Sequence, residues 1–385
     1  MSQIPGPGRG PRRSVPAAGG LILAVLVLTA CRPSGGAGGA GSDDAWLLPA
    51  RWAADPQAAV PTVPPGEVPP VRHGLADPPP RTPGAMRIAS YNVLNLFDPF
   101  DDPDLGDRWD DLPMATDERR CRNLAAMIRR VDADVLALQE VESLECLQWF
   151  RDTFLADMGY EHVASVDVGY YRGVECSVLS RVPITGVEAW PEQSLEGVDR
   201  SGPGFTPRPD DAAPPVTYQR SPMRVDLRHP DGYDLTLFVL HHKSGRDFGW
   251  MREMEALRTI EKLEAIMTAE PDRNLIVLGD FNAAPWDRSL RLYLEAGFVD
   301  PLAHRAMPLN RDDPTGRPFK THDSGRVIDY VLLSPAAMGE YVRRSAHVVG
   351  KPYDPEYDWR NDPEPAWFAS DHHPVVIDLR PKDRP

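Results

Sequence analysis

Two short polar side chains one residue apart, Asp280 and Asn282, follow the apolar run Leu275-Ile276-Val277-Leu278 and a glycine. Successive apolar residues of this kind read as a strand buried on both faces. Gly279 then lets the chain turn without a Cβ penalty. A carboxylate and a carboxamide at the carboxyl end of a buried strand stand where α/β folds place their chemistry. The same four residues could equally close a strand in an Asx-turn, so their meaning depends on the rest of the chain.

Other strand ends carry similar groups. Ser90-Tyr91-Asn92-Val93 closes one apolar run with an amide, and Leu138-Gln139-Glu140-Val141 closes another with an acid. Glu140 follows the run DVLAL, so it should emerge from a buried strand into a cleft. Hard cations such as Mg²⁺ take one or two carboxylates and complete their shell with water and phosphate oxygen; Glu140 suits that role, with Asn92 beside it. In Val239-Leu240-His241-His242, period-2 alternation puts His241, not His242, on the face of Leu237 and Val239. Lys243 and Arg246 nearby make the local field positive. Asp329 lies within the apolar run Val327-Ile328-Asp329-Tyr330, which is costly unless it is paired. Ser370-Asp371-His372-His373-Pro374 precedes a last apolar run; a histidine there can donate to a phosphate oxygen while a carboxylate holds its tautomer.

The elements that must position these groups recur along residues 86–385. RIASYNVLNL, DVLALQEV, CSVLSRV, LTLFVLHH, LIVLGDF, VIDYVLLS and PVVIDL are each of strand length. Arg119 to Val131 and Trp250 to Met267 are helical in pattern. The reading is one α/β domain with mixed sheets and helices outside, and surface loops over Pro191–Pro215 and Pro352–Pro365. The acidic stretch Asp98 to Asp111 (DPFDDPDLGDRWDD) could offer Ca²⁺ its oxygen atoms, but it lacks EF-hand order and reads as a solvated loop.

Ahead of the domain, Arg9, Arg12 and Arg13 precede an apolar core, Leu21 to Leu28, too short for a confident membrane span and laid out as a secretory signal. Leu28-Thr29-Ala30-Cys31 resembles the lipobox of bacterial lipoproteins, which implies lipidation of Cys31 and residues 1–31 as the signal segment. Arg32, not an aspartate, follows the cysteine, and the resemblance then favours the outer membrane in a cell with two. Residues 32–85 are rich in Gly, Ala and Pro and read as a disordered tether. Apart from this lipid anchor no membrane contact is expected, and the domain reads as a monomer. The formal charge of −15 excludes a broad basic footprint for nucleic acid. Cys121, Cys146 and Cys176 leave any disulfide pairing open.

Taken in order, Asn, Glu, His, Asp-x-Asn, Asp and Asp-His at successive strand ends resemble the endonuclease/exonuclease/phosphatase (deoxyribonuclease I-like) superfamily over residues 86–380. The resemblance implies a four-layer sandwich of two mixed β-sheets with flanking helices. It implies a metal site at Asn92 and Glu140, Mg²⁺ or Mn²⁺ by preference, with Asp371 in support. Asp280 would orient or deprotonate the attacking water, and Asn282 would help place the phosphate. His372 would contact the scissile phosphate, oriented by Asp329. His241 would be the second histidine, a phosphate contact or proton donor to the leaving oxygen. Thr217 to Pro222 resembles the family's phosphate-contacting strand, which nominates Arg220. The expected activity is hydrolysis of extracellular nucleic acid. A phospholipid or inositol-phosphate phosphoesterase and a catalytically silent anchored binding domain are the competing readings.

Overall fold

The computed structural model describes residues 71–383, apart from 104, 106–110, 211, 213–215, 311–312, 354–357, 359–360 and 362. The signal segment, Cys31 and most of the expected tether lie outside the described residues. The strands are β1 (Met86–Leu96), β2 (Val135–Val141), β3 (His162–Ser165), β4 (Glu175–Ser180), β5 (Ile184–Ala189), β6 (Met223–Arg228), β7 (Asp234–His241), β8 (Asn274–Asp280), β9 (Asp329–Leu333), β10 (His347–Val348) and β11 (Val375–Leu379). The helices are α1 (Glu118–Val131), α2 (Leu144–Phe154), α3 (Gly249–Ala269), α4 (Arg288–Glu295) and α5 (Pro335–Glu340). Among the described residues no helix is long and apolar enough to cross a membrane.

Six strands form one sheet in the order β10-β11-β1-β2-β4-β3, and five form the other in the order β5-β6-β7-β8-β9. Each is mixed: β1 with β2 and β7 with β8 are parallel, while the other pairings are antiparallel. Their inner faces meet through Ile88, Val135, Val178, Leu237, Ile276, Val331 and Ile377, among others. The outer face of the first sheet packs on α1 and α2 through Ala89, Leu136, Leu124 and Phe150. The outer face of the second packs on α3 and α4 through Leu275, Val277, Leu263 and Leu290. The result is the four-layer α/β sandwich expected from the sequence.

Alternation along the strands decides what reaches the cleft. Leu237 and Val239 of β7 face the inner core, so His241 does too; Ile276 and Leu278 of β8 carry Asp280 the same way. Val331 and Leu333 do this for Asp329, and Ile88 for Asn92. The β7–β8–β9 register sets His241 opposite Asp280 and Asp280 opposite Asp329. Close packing of β7 on β8 depends on Gly279: its φ is +141°, and an added Cβ would sit 2.0 Å from the Leu240 carbonyl oxygen.

Three expectations are corrected. Residues 71–85 do not belong to a free tether: Leu75 bridges Val349, Thr82 donates to Asp378 at 2.9 Å, and Arg81 pairs with Asp132 and Asp134. A proline-rich segment with no amphipathic period can still add to a domain through backbone hydrogen bonds, which composition does not reveal. Arg220 lies in a bend before β6, not on a strand. The ends of the acidic stretch are not solvated, since Asp98 and Asp111 are both buried. Cys121, Cys146 and Cys176 are all buried free thiols, so no disulfide joins them.

Candidate active site

Five strands and the loop before β11 converge where the inner faces of the two sheets open. Asn92 Nδ2 lies 3.3 Å from Glu140 Oε1 and 3.3 Å from Asp280 Oδ2, so one amide spans both sheets. His241 Nε2 stands 3.5 Å from each of the same two carboxylates. Asp280 also accepts from the backbone N–H of Asn282 at 2.8 Å and from its Nδ2 at 3.1 Å. His372 Nε2 is 3.9 Å from Asp280, while its Nδ1 lies 2.9 and 3.0 Å from the two oxygens of Asp329. Thr321 Oγ1 donates to Asp329 at 2.7 Å, fixing that carboxylate in turn.

Glu140 reaches the cluster against its own strand parity. Leu136 and Leu138 face the outer layer, and simple alternation would send Glu140 with them. Its φ of +66° and a register shift between Gln139 and Val141 swing the side chain inward. Such left-handed residues are strained unless glycine, and they concentrate at functional sites. Leu94, Asn95 and Asn282 share the positive φ. Arg120 of α1 braces the first two, donating to the carbonyls of Val93, Leu94 and Asn95. Ser370 Oγ ties the histidine loop to β1 by donating to the Asn92 carbonyl at 2.8 Å.

The paired histidines separate cleanly. His242 turns away, its Nε2 3.0 Å from the Tyr293 hydroxyl and its Nδ1 3.2 Å from Glu255. His373 Nε2 meets Asp323 at 3.1 Å. Arg220 donates to the carbonyls of His241 and His242, lies over the Tyr170 ring, and keeps Nη1 buried without a partner. Asp371 faces His322 Nε2 at 3.1 Å and His372 Nε2 at 3.8 Å, and no described contact joins it to Glu140. Its Oδ1, the atom that approaches His372, is buried and makes no hydrogen bond. The sequence reading missed His322, Thr321, Ser370, Arg120 and Arg172, which donates to Asn95 Oδ1 at 2.7 Å. The signal for His322 and Thr321 was Thr321-His322-Asp323 just ahead of the acid-bearing strand.

Charge follows geometry. Burial pushes the Asp280 carboxyl up to about 7, with Asp329 and Glu140 adding to the rise and His372 opposing it. Burial works against a charge on His372, yet Asp329 outweighs it and holds the imidazolium up to about 10. Burial, with Arg220 and His372, keeps His241 well below its usual value and neutral. Because His241 Nε2 faces two carboxylates, that nitrogen carries the proton. Two carboxylates thus face a neutral imidazole, and Glu140 and Asp371 offer hard oxygen donors. These residues fit a divalent cation. Among the described residues, Asp280, Asp329 and His372 form one close group of potential ligands, and His322, Asp371 and His372 another.

The chain matches the Endonuclease/Exonuclease/phosphatase family over residues 89–372. It belongs to that family. Its members are phosphodiesterases and phosphatases, and the chain is a hydrolase of that kind. No curated protein matches it significantly. Among solved structures it is similar to the human Nocturnin catalytic domain at 18% identity and a TM-score of 0.49, over 77% of this chain and 94% of that one. An endonuclease/exonuclease/phosphatase family protein from Bacteroides thetaiotaomicron is 20% identical with a TM-score of 0.47, over 77% and 98%. A mannosyl-6-phosphatase from the same organism is 19% identical with a TM-score of 0.45, over 76% and 99%.

Proposed function

We propose that the chain is an exported, lipid-anchored, divalent-metal-dependent phosphodiesterase that hydrolyses extracellular nucleic acid. The observation that carries this reading is the meeting of Asp280 with Asn92, His241, Asn282 and His372, drawn from both sheets, within 3.9 Å. Asp280, raised toward neutrality, takes the proton of a water that attacks phosphorus in line as the ester P–O bond breaks. The His372 imidazolium, held by Asp329, donates to a non-bridging oxygen whose negative charge grows in the transition state. His241 Nε2–H and Asn282 orient the phosphate, and the free Nη1 of Arg220 adds positive charge behind it. Glu140 and Asn92, with Asp371 in support, would hold the cation, Mg²⁺ or Mn²⁺; when bound it neutralises phosphate charge as a Lewis acid.

The rim supports nucleic acid over lipid. Arg172 and Lys243 are cations beside the cluster. Tyr171 is 51% exposed next to Arg172 on the loop between β3 and β4, and Trp286 is 63% exposed on the loop after β8. Exposed aromatic faces beside cations suit stacked bases and a phosphate backbone, and stacking is worth about 1–3 kcal/mol per base.

The test is a substrate panel for the full chain in detergent with Mg²⁺ or Mn²⁺: plasmid and linear DNA, RNA, sphingomyelin, phosphoinositides and sugar phosphates. Nicked or shortened nucleic acid is expected, with turnover falling roughly 10²–10⁴-fold in Asp280→Asn. Release of a lipid headgroup without nuclease activity would transfer the site to the lipid reading. Inactivity on every substrate would leave an anchored binding domain.

A further inference from the structure

Away from the catalytic cluster, the loop after β1 brings a second group of acids together. Asp98 and Glu142 lie with Cys146 in a group whose potential ligand atoms are all within 4.8 Å of one another. Asp111 joins them: it contacts the Glu142 carboxyl and bears on the charge of Asp98. Backbone amides fix each carboxylate by one oxygen. Asp98 accepts from Phe100 N at 2.8 Å, Glu142 from Asp98 N at 2.9 Å, and Asp111 Oδ2 from Asp102 N at 3.0 Å. The other oxygen of Asp111, whose residue is 0% exposed, is buried and has no partner.

Desolvated like charges are costly, so such a cluster is relieved either by protons, which burial favours at Asp98 and Glu142, or by a bound cation that displaces them. No such cation comes from the protein among the described residues: the charges bearing most on Asp98 are Asp111, Glu145 and Asp102, and those on Glu142 are Asp98 and Asp111. Cys146 donates its thiol hydrogen to the Leu96 carbonyl at 3.3 Å, so the donors left are hard oxygens and not a thiolate. A cavity of about 680 Å³, lined by Asp98, Asp102, Glu142, Glu145 and Trp149 among others, opens beside the group and gives an ion access.

We propose that Asp98, Asp111 and Glu142 form a divalent-cation site, separate from Glu140 and suited to Ca²⁺, that clamps the loop after β1 to the end of β2. Ca²⁺ suits it better than Mg²⁺ because the donors come from a loop and a strand end rather than from a rigid octahedral cage. Glu142 lies two residues beyond Glu140, so the clamp also steadies the strained turn that aims Glu140 into the active site.

The experiment strips the full chain of cations with a chelator, then titrates it with CaCl₂ by calorimetry and follows thermal unfolding. Wild type and Glu140→Gln are both expected to bind Ca²⁺ and unfold at higher temperature with it. Asp111→Asn and Glu142→Gln should each bind at least tenfold more weakly and lose the Ca²⁺-dependent rise. Asp101→Asn, an exposed neighbour, should behave as wild type. Two isosteric variants are measured so that misfolding of one leaves the other to decide. Absence of a Ca²⁺ response in wild type, its loss in Glu140→Gln, or full Ca²⁺ affinity in either folded cluster variant would overturn the proposal.

Discussion

His372 and His373 are identical in composition and adjacent in sequence, yet their partners divide their roles. His372 meets Asp329 and approaches Asp280, while His373 is held against Asp323, which also pairs with Lys351. Replacing His372 with Gln is expected to lower kcat by about 10²-fold or more, and to lower the unfolding temperature as well because its buried pair with Asp329 is lost. Replacing His373 with Gln should leave kcat within a few-fold while lowering stability by roughly 1–3 kcal/mol, since it disturbs a buried charged network. Steady-state kinetics and thermal melts on both variants check the division; equal kinetic losses would refute it. For the other doublet, alternation from Leu237 and Val239 already selected His241. For His372 no strand parity was available, because the loop before β11 is irregular.

At the scale of the element, the end of β2 shows a local rule broken where the site needs it. Glu140 holds a φ of +66° that glycine would adopt more readily. The strain costs on the order of 1–2 kcal/mol for a residue with a Cβ. Glu140→Gly and Glu140→Ala should therefore both lose activity, with the glycine variant unfolding at the higher temperature. Melting curves decide this, and a more stable alanine variant would show that the turn is unstrained. The apolar run DVLAL identified the strand but not its bulge, because a register shift depends on pairing with β4 and leaves no mark on hydrophobic pattern. The short strands β3, β5 and β6 were also illegible: they are brief, only partly apolar, and fixed by their neighbours.

Across the whole molecule, the first sheet is closed by long-range contacts. Arg87 of β1 and Asp378 of β11 form a buried ion pair at 2.8 Å. Burial alone would raise the Asp378 carboxyl, but its hydrogen bonds to Arg87 and Thr82 hold it below the usual carboxylate range. A depressed carboxyl contributes stability above the unfolded-state value of about 4, and that contribution is lost as pH falls through the folded value. Asp378→Asn should thus cost about 3 kcal/mol at pH 7, with the gap to wild type closing below about pH 4. Denaturant unfolding across that range tests the sign; a gap constant with pH would exclude it. The same edge carries residues 71–85. A chain starting at Met86 should unfold at a lower temperature than one starting at Val71, because Leu75, Arg81 and Thr82 are then missing from their contacts with Val349, Asp132 and Asp378.

The order of amides, acids and histidines at strand ends, and the period-2 pattern that turns His241, Asp280 and Asp329 inward, belong to the sequence by itself. Alternation is a local property of extended backbone, so it survives without knowledge of neighbours. Only the tertiary structure decided that Asn92 bridges two sheets, that Glu140 turns against its parity, and that His322 meets Asp371. Those relations arise where segments far apart in the chain close on one another, and local pattern holds no record of that distance. The acidic loop shows the same limit: its composition reads as solvated, and only packing near the end of β2 buries Asp98 and Asp111 at its two ends.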